Sequence, residues 1–265
     1  MKIALCLSGQ PRSLEKSFDV IRDSIIGEYD VDVFIHFWKG IAPVDSSDPN
    51  IENMKVTQDP EVFRKAIQLY KPKLWLFEDQ PDFSCNQYFT ETYGDDWQQY
   101  GIDFPINDLE LWVKYKERLF STYGDRPHNM VSQLTSWKQA NQLKKTWEQV
   151  NGFRYDCVVR MRTDCIIDAH IAYEKADLKN LYVIGGRHNC QHHVSKGDTF
   201  AINDWFGLSS SEVMDYYASL IDKMPYYYYK DKVRCVVEVM LGWHIKKKNI
   251  PIVRLDVESA ILREK

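Results

Sequence analysis

The chain lacks a long apolar run at its start: Met1-Lys2-Ile3-Ala4-Leu5-Cys6-Leu7 turns polar at Ser8, too short for a signal core or a membrane span. The expectation is a cytoplasmic protein with no membrane span. Cysteine is sparse and unpatterned. The six residues Cys6, Cys85, Cys157, Cys165, Cys190 and Cys235 include no C-x-x-C pair, and four lie in apolar runs, which points to buried thiols in a reducing compartment rather than a disulfide or zinc framework. Neither sign of charge dominates. Thirty-four Lys plus Arg against 38 Asp plus Glu leave a net charge of -4, so a nucleic acid partner has no global electrostatic support. Lys246-Lys247-Lys248 is a short run at a helix end, where cations complement the helix dipole. Internal repeats, G-x-G-x-x-G and Walker A loops are missing too, which removes support from dehydrogenase and P-loop readings.

What is present suits a globular chain of 265 residues with a full core: 44% hydrophobic, 27% charged, mean hydropathy -0.46. Aromatics reach 14%, which fits stacking on sugars or nucleosides as well as it fits a large core. Residues 2 to 7 read as a buried strand, and Leu14, Phe18, Ile21 and Ile25 follow at helical spacing. Val31 to Phe37 and Leu74 to Phe77 read as further strands, with a helix from Pro60 to Tyr70 between them. The order predicts an α/β fold around a mostly parallel sheet. From about 80 to 128 the pattern loses its period, and this stretch reads as an aromatic-rich insertion or lid. Leu134, Trp137, Leu143, Trp147 and Val150 mark a long helix that Asn151-Gly152 ends. Beyond it come strands over Tyr155 to Asp164, Leu181 to Ile184, Thr199 to Leu208 and Ile250 to Leu255. Helices are expected from Ser209-Ser210-Ser211 and over Asp231 to Lys248.

Two strand ends carry chemistry, because ligands of an open parallel sheet bind outside the carboxyl ends of its strands. The loop Ser8-Gly9-Gln10-Pro11-Arg12 combines a glycine that admits a ligand to the backbone with an arginine suited to a diphosphate. At the second end Arg160, Arg162 and Asp164 alternate, so an extended chain points all three one way. Two guanidinium groups and a carboxylate there mark a polyanion site, with Asp164 for a divalent metal or a sugar hydroxyl. A structural Arg-Asp pair accounts for the same pattern.

A strand of the type Y-D-x-V-x-R-x-R-x-D, after an N-terminal L-x-L-S-G-Q-P-R loop, resembles the GT-A type glycosyltransferases of viral and bacterial surface-glycan clusters. The resemblance extends through Asp32-Val33-Phe34-Ile35-His36-Phe37-Trp38, like the family's D-x-F-I-H-x-W strand, through Asn203-Asp204-Trp205-Phe206-Gly207-Leu208-Ser209, and through Glu238-Val239-Met240-Leu241. It implies one GT-A-like (Rossmann-like) domain over residues 1–265 that takes a nucleotide-diphosphate sugar donor and a glycan or glycoprotein acceptor. Ser8, Gly9, Gln10, Arg12, Arg160, Arg162 and Asp164 would be donor-binding. The family's D-x-D motif, which holds Mn²⁺ or Mg²⁺ against the diphosphate, would fall on Arg162-Thr163-Asp164, where arginine replaces the first acid. Either Asp164 carries the metal with help from elsewhere, or Arg160 and Arg162 stabilise the leaving group without one. GT-A enzymes often recruit a late histidine, and His244 is the candidate. His188, His192 and His193 with Cys190 look like a metal cluster, but adjacent His192 and His193 turn apart in an extended chain.

Asp204 and Glu238 are lone carboxylates among apolar and aromatic residues, the setting of an acid-base catalyst. Two other readings stay open. A sugar nucleotidyltransferase shares the sheet but calls for a first loop rich in glycine with a lysine. A non-catalytic nucleotide- or glycan-binding module accounts for the missing first acid.

Overall fold

The computed structural model describes residues 1–40, 60–80, 127–185, 190, 197, 199–234 and 236–262. The aromatic-rich stretch expected as an insertion, apart from its ends, and His188, His192 and His193 lie outside the described residues. In chain order the elements are β1 (Ile3–Gly9), α1 (Leu14–Ile21), β2 (Val31–Trp38), α2 (Pro60–Tyr70), β3 (Leu74–Glu78), α3 (Pro127–Asn151), β4 (Cys157–Met161) and β5 (Cys165–Ile167). Then follow β6 (Leu181–Ile184), β7 (Phe206–Ser209), α4 (Ser211–Ala218), α5 (Leu220–Tyr229), α6 (Val237–Lys247), β8 (Ile252–Leu255) and β9 (Ser259–Ile261).

The fold is mixed α/β, with a seven-stranded sheet ordered β3-β2-β1-β4-β7-β6-β8. β1, β2, β3 and β4 pair in parallel, as do β6 and β8, while β7 runs antiparallel to both its neighbours. From β1 the chain steps outward to β2 and β3, then returns to place β4 on the other side of β1. The strand order therefore reverses between β1 and β4, and their carboxyl ends flank a topological switch point.

Side-chain alternation divides the core. Ile3, Leu5 and Leu7 of β1 join Val33, Ile35 and Phe37 of β2 on one face, with Leu14 and Ile21 of α1 and Phe63 of α2. Ala4, Cys6, Phe34, Trp38 and Val158 occupy the other face, against Leu134 and Trp137 of α3, Met214 and Tyr217 of α4 and Val239 to Leu241 of α6. The long helix ends as its sequence predicts. Gly152 sits at φ +67, and the N–H groups of Gly152 and Phe153 reach back to the carbonyls of Gln149 and Glu148, closing a Schellman cap.

Four expectations are corrected. The strand through Arg160 stops at Met161, because the chain turns where Cys165 N–H donates to the Arg162 carbonyl at 3.3 Å. The strand expected from Thr199 is only Phe206–Ser209, and the last helix begins at Val237 rather than Asp231. The first helix tightens no further than Ile21 and widens into a π turn over Arg22–Ile26. The two-stranded sheet of β5 and β9 has no counterpart in the sequence reading, since three-residue strands carry too little alternation to show.

α6 crosses the segment before β7 at Gly242, where a Cβ would overlap the carbonyl oxygen of Phe200. Gly242→Ala is expected to cost about 3 kcal/mol or more, because the clash is with backbone and cannot relax by a rotamer change. Urea denaturation checks this, and an unchanged midpoint would show that the crossing is looser than described.

Candidate functional site

At the switch point the two strand ends meet through Thr163. Its hydroxyl lies 3.0 Å from the Gln10 carbonyl and 3.3 Å from the Arg12 carbonyl, and its own carbonyl accepts from Ser17 of α1. Arg160 adds a second tie across 152 residues of chain, donating from Nε to Ser8 Oγ at 3.3 Å. The Ser8–Arg12 loop and the Arg162–Asp164 turn thus form one wall, as the sequence reading expects of neighbouring strand ends.

Their side chains divide into two groups. Arg160 continues the β4 alternation and turns inward, only 4% exposed. Its guanidinium lies 4.0 Å from the Trp137 ring centroid and donates to the Asp204 carbonyl. Burial lowers its pKa, while Tyr217 and the Asp204 carboxylate favour the charged form. It is a buried tie between strand ends, less open than the donor-binding role expected of it would have it. Arg162 lies beyond the last strand residue and is more open, its side chain 26% exposed. It grips Asp164 with both forks, Nε to Oδ1 and Nη2 to Oδ2, each at 2.7 Å. Burial works against its charge, but Asp164 outweighs it and drives the Arg162 pKa up. The Arg-Asp pair left open by the sequence is therefore present.

Of the first loop, Gly9 adopts φ +112, a conformation that glycine alone enters without strain, and Arg12 is exposed, with Nε on the Gln10 side-chain oxygen at 2.8 Å. Asp204 is buried on the α3 side of the same wall, one carboxylate oxygen accepting from the Gln133 amide. Glu238 is half-buried in the first turn of α6, and its carbonyl accepts the Ile202 N–H at 3.1 Å. Burial pushes the Cys190 thiol up to about 12, and the charges of Glu238 and Asp204 add to the rise. Both carboxylates therefore act on one neighbourhood.

The metal donors expected from the sequence do not fit an ion. Both Asp164 oxygens are held by Arg162. His244 is fully buried, with Nδ1 at 2.8 Å from the Tyr227 hydroxyl and Nε2 at 2.7 Å from the Tyr216 carbonyl. Stacked on Tyr216 at 3.9 Å, it packs in the core with both ring nitrogens hydrogen-bonded, an arrangement that does not fit the metal role expected of it. Among the described residues no group of three or more His, Cys, Asp and Glu side chains could hold a metal ion.

Sequence reasoning missed Thr163, Gln133, Ser136, His36 and Glu78. The parity of the strands was the available signal: Ser8, His36 and Arg160 share the face of Cys6, Phe34 and Val158 that packs on α3, so their polar groups must meet partners there or on one another.

No family model matches the chain, and no curated protein does. Among solved structures it is similar to the crystal structure of mouse xyloside xylosyltransferase 1 in its apo form. That match covers 96% of this chain and 84% of that one at 10% identity, with a TM-score of 0.40. Among the described residues no helix is long and apolar enough to cross a membrane.

Burial lowers the His244 pKa from 6.5 to about 4, so this group stays neutral in the folded protein and ionises on unfolding below its ordinary value. The unfolded state then binds the extra proton, and stability is lost as pH falls from about 6.5 towards about 4. Between about pH 7 and about pH 5 the loss from this residue is about 2 kcal/mol. Urea titrations at the two pH values should show a shallower dependence in His244→Gln than in the parent, whatever the variant's baseline. An equal slope would assign the titration to other groups.

Proposed function

We propose that the chain is a glycosyltransferase that moves a sugar from a nucleotide-diphosphate donor to a hydroxyl of a glycan or glycoprotein. The observation that carries this reading is the convergence of the Ser8–Arg12 loop and the Arg162–Asp164 turn at the β1/β4 switch point, where α/β sheets hold nucleotides. The order of motifs that resembles GT-A enzymes supports it independently of the geometry.

In the proposed reaction the acceptor oxygen bonds to the anomeric carbon as the bond from that carbon to the diphosphate oxygen breaks. Asp204 takes the acceptor proton, with Glu238 the second choice, and the developing charge on the departing diphosphate falls to Arg162 and the exposed Arg12. Arg162 can turn to a phosphate only by loosening its grip on Asp164, which frees that carboxylate for a donor hydroxyl. No step is routed through Mn²⁺ or Mg²⁺, because the donors described do not fit an ion. The competing reading, a non-catalytic nucleotide- or glycan-binding module, is favoured by the same closed Arg162–Asp164 pair.

Thermal-shift screening of UDP-, GDP- and dTDP-sugars with and without Mn²⁺ tests the reading, with a donor-specific shift and slow donor hydrolysis expected. Asp164→Asn should lower turnover about a hundredfold, and Arg162→Ala should raise the donor KM as well as lower kcat. If donors bind but are neither hydrolysed nor transferred, the binding-module reading replaces the enzyme. If both variants melt far below the parent and no donor binds, the two side chains are only a structural ion pair.

A further inference from the structure

Glu78 at the end of β3, His36 of β2 and Ser136 of α3 meet beside the loop that follows β1. Ser136 Oγ lies 2.7 Å from His36 Nδ1 and accepts the Gly9 N–H at 2.7 Å, while His36 Nε2 lies 2.9 Å from Glu78 Oε1. The trio has the composition of a nucleophilic triad. Ser136 is fully buried, however, and its oxygen is committed to the Gly9 amide, so no electrophile reaches it.

Proton placement shows what the trio does instead. A carboxylate only accepts, so Glu78 requires a hydrogen on His36 Nε2. Neutral His36 then presents a bare Nδ1, which takes the Ser136 hydroxyl hydrogen and leaves the serine lone pairs for Gly9. The opposite tautomer would set the Nε2 lone pair against the Glu78 oxygen and release the serine hydrogen to the His36 carbonyl, 3.2 Å away. Burial lowers the His36 pKa against the pull of Glu78, the one charged group acting on it among the described residues, and Trp38 closes the ring edge-on at 4.6 Å. Gly9 is where a fixed amide matters, because the backbone leaves the sheet there at φ +112.

We propose that Glu78, His36 and Ser136 form a positioning relay for the Ser8–Arg12 loop, in which the carboxylate sets the His36 tautomer, the imidazole aims the Ser136 hydroxyl, and the hydroxyl holds the Gly9 amide. Its effect on a bound nucleotide rests on the donor-loop reading above. Its effect on the loop does not.

Long-range ¹H–¹⁵N spectra of the labelled wild-type protein at neutral pH should show His36 as the Nε2–H tautomer, and a dominant Nδ1–H form would overturn the relay without any variant. Glu78→Ala should bring the Nδ1–H form up beside it. Ser136→Ala should speed hydrogen exchange at Gly9 at least about tenfold relative to Leu5 in the same strand, the loss of about one hydrogen bond. Unchanged Gly9 exchange in a folded Ser136→Ala protein would also sink the proposal. UDP, GDP and dTDP affinities measured on Glu78→Ala separate the two readings. A fall of about fivefold at unchanged melting temperature supports both, a fixed tautomer with no nucleotide bound even by the parent removes only the donor reading, and unaltered affinity limits the relay to the loop's structure.

Discussion

A positive charge buried at the middle of the sheet governs the arrangement around it. Arg160 is almost wholly buried, and its direct hydrogen bonds go to uncharged oxygens, the Ser8 hydroxyl and the Asp204 carbonyl, while Trp137 offers its ring face. Leaving such a group without partners would cost several kcal/mol, so each partner is obliged to stay in place. Space is part of the same constraint. Gly207 pairs with Arg160 across β4 and β7, and a Cβ there would come within 3.2 Å of the Tyr217 ring that packs over it. One side chain thus correlates β1, β4, the turn before β7, α3 and α4, and the wall of the candidate site is their shared edge.

A second buried cation does similar work at the other end of α3. Lys144 is fully buried and reaches Ser211 Oγ at 2.6 Å, Asp215 at 2.7 Å and Glu148 at 3.1 Å. Here the charge is balanced by carboxylates; burial alone would raise the Asp215 pKa, but its bonds to Lys144 bring it below the usual range. The Lys144 cluster fastens α4 to α3, whereas Arg160 ties the end of β1 to β4 and to the turn before β7.

Much of this was legible in the sequence, for reasons that are local. β1, β2 and β3 are apolar runs bounded by polar turns, and α2 and α3 show their period and their ends, so existence and order followed from patterning. The site was half legible. That Ser8–Arg12 and Arg162–Asp164 would be neighbours followed from where parallel strands place their loops, but the parting of Arg160 from Arg162 and Asp164 depended on β4 ending at Met161. Asp164 and His244 looked like metal donors because sequence shows residue types and not their partners. Arg162, Tyr227 and the Tyr216 carbonyl, which occupy those atoms, belong to contacts that no spacing rule announces.

The small sheet of β5 and β9 does more than tidy the chain. The Leu262 N–H donates to the Asp164 carbonyl at 2.7 Å, and the Leu262 carbonyl accepts from the Ser13 hydroxyl at 3.1 Å, so residues 259–262 buckle the Asp164 backbone to the Ser13 side chain. All seven strands of the main sheet lie within residues 3–255, yet the turn bearing Asp164 takes its clasp from residues beyond them. The main sheet and the fastening of the wall are thus encoded in separate stretches of sequence, so a change in residues 259–262 reaches the Asp164 turn without touching a strand of the main sheet.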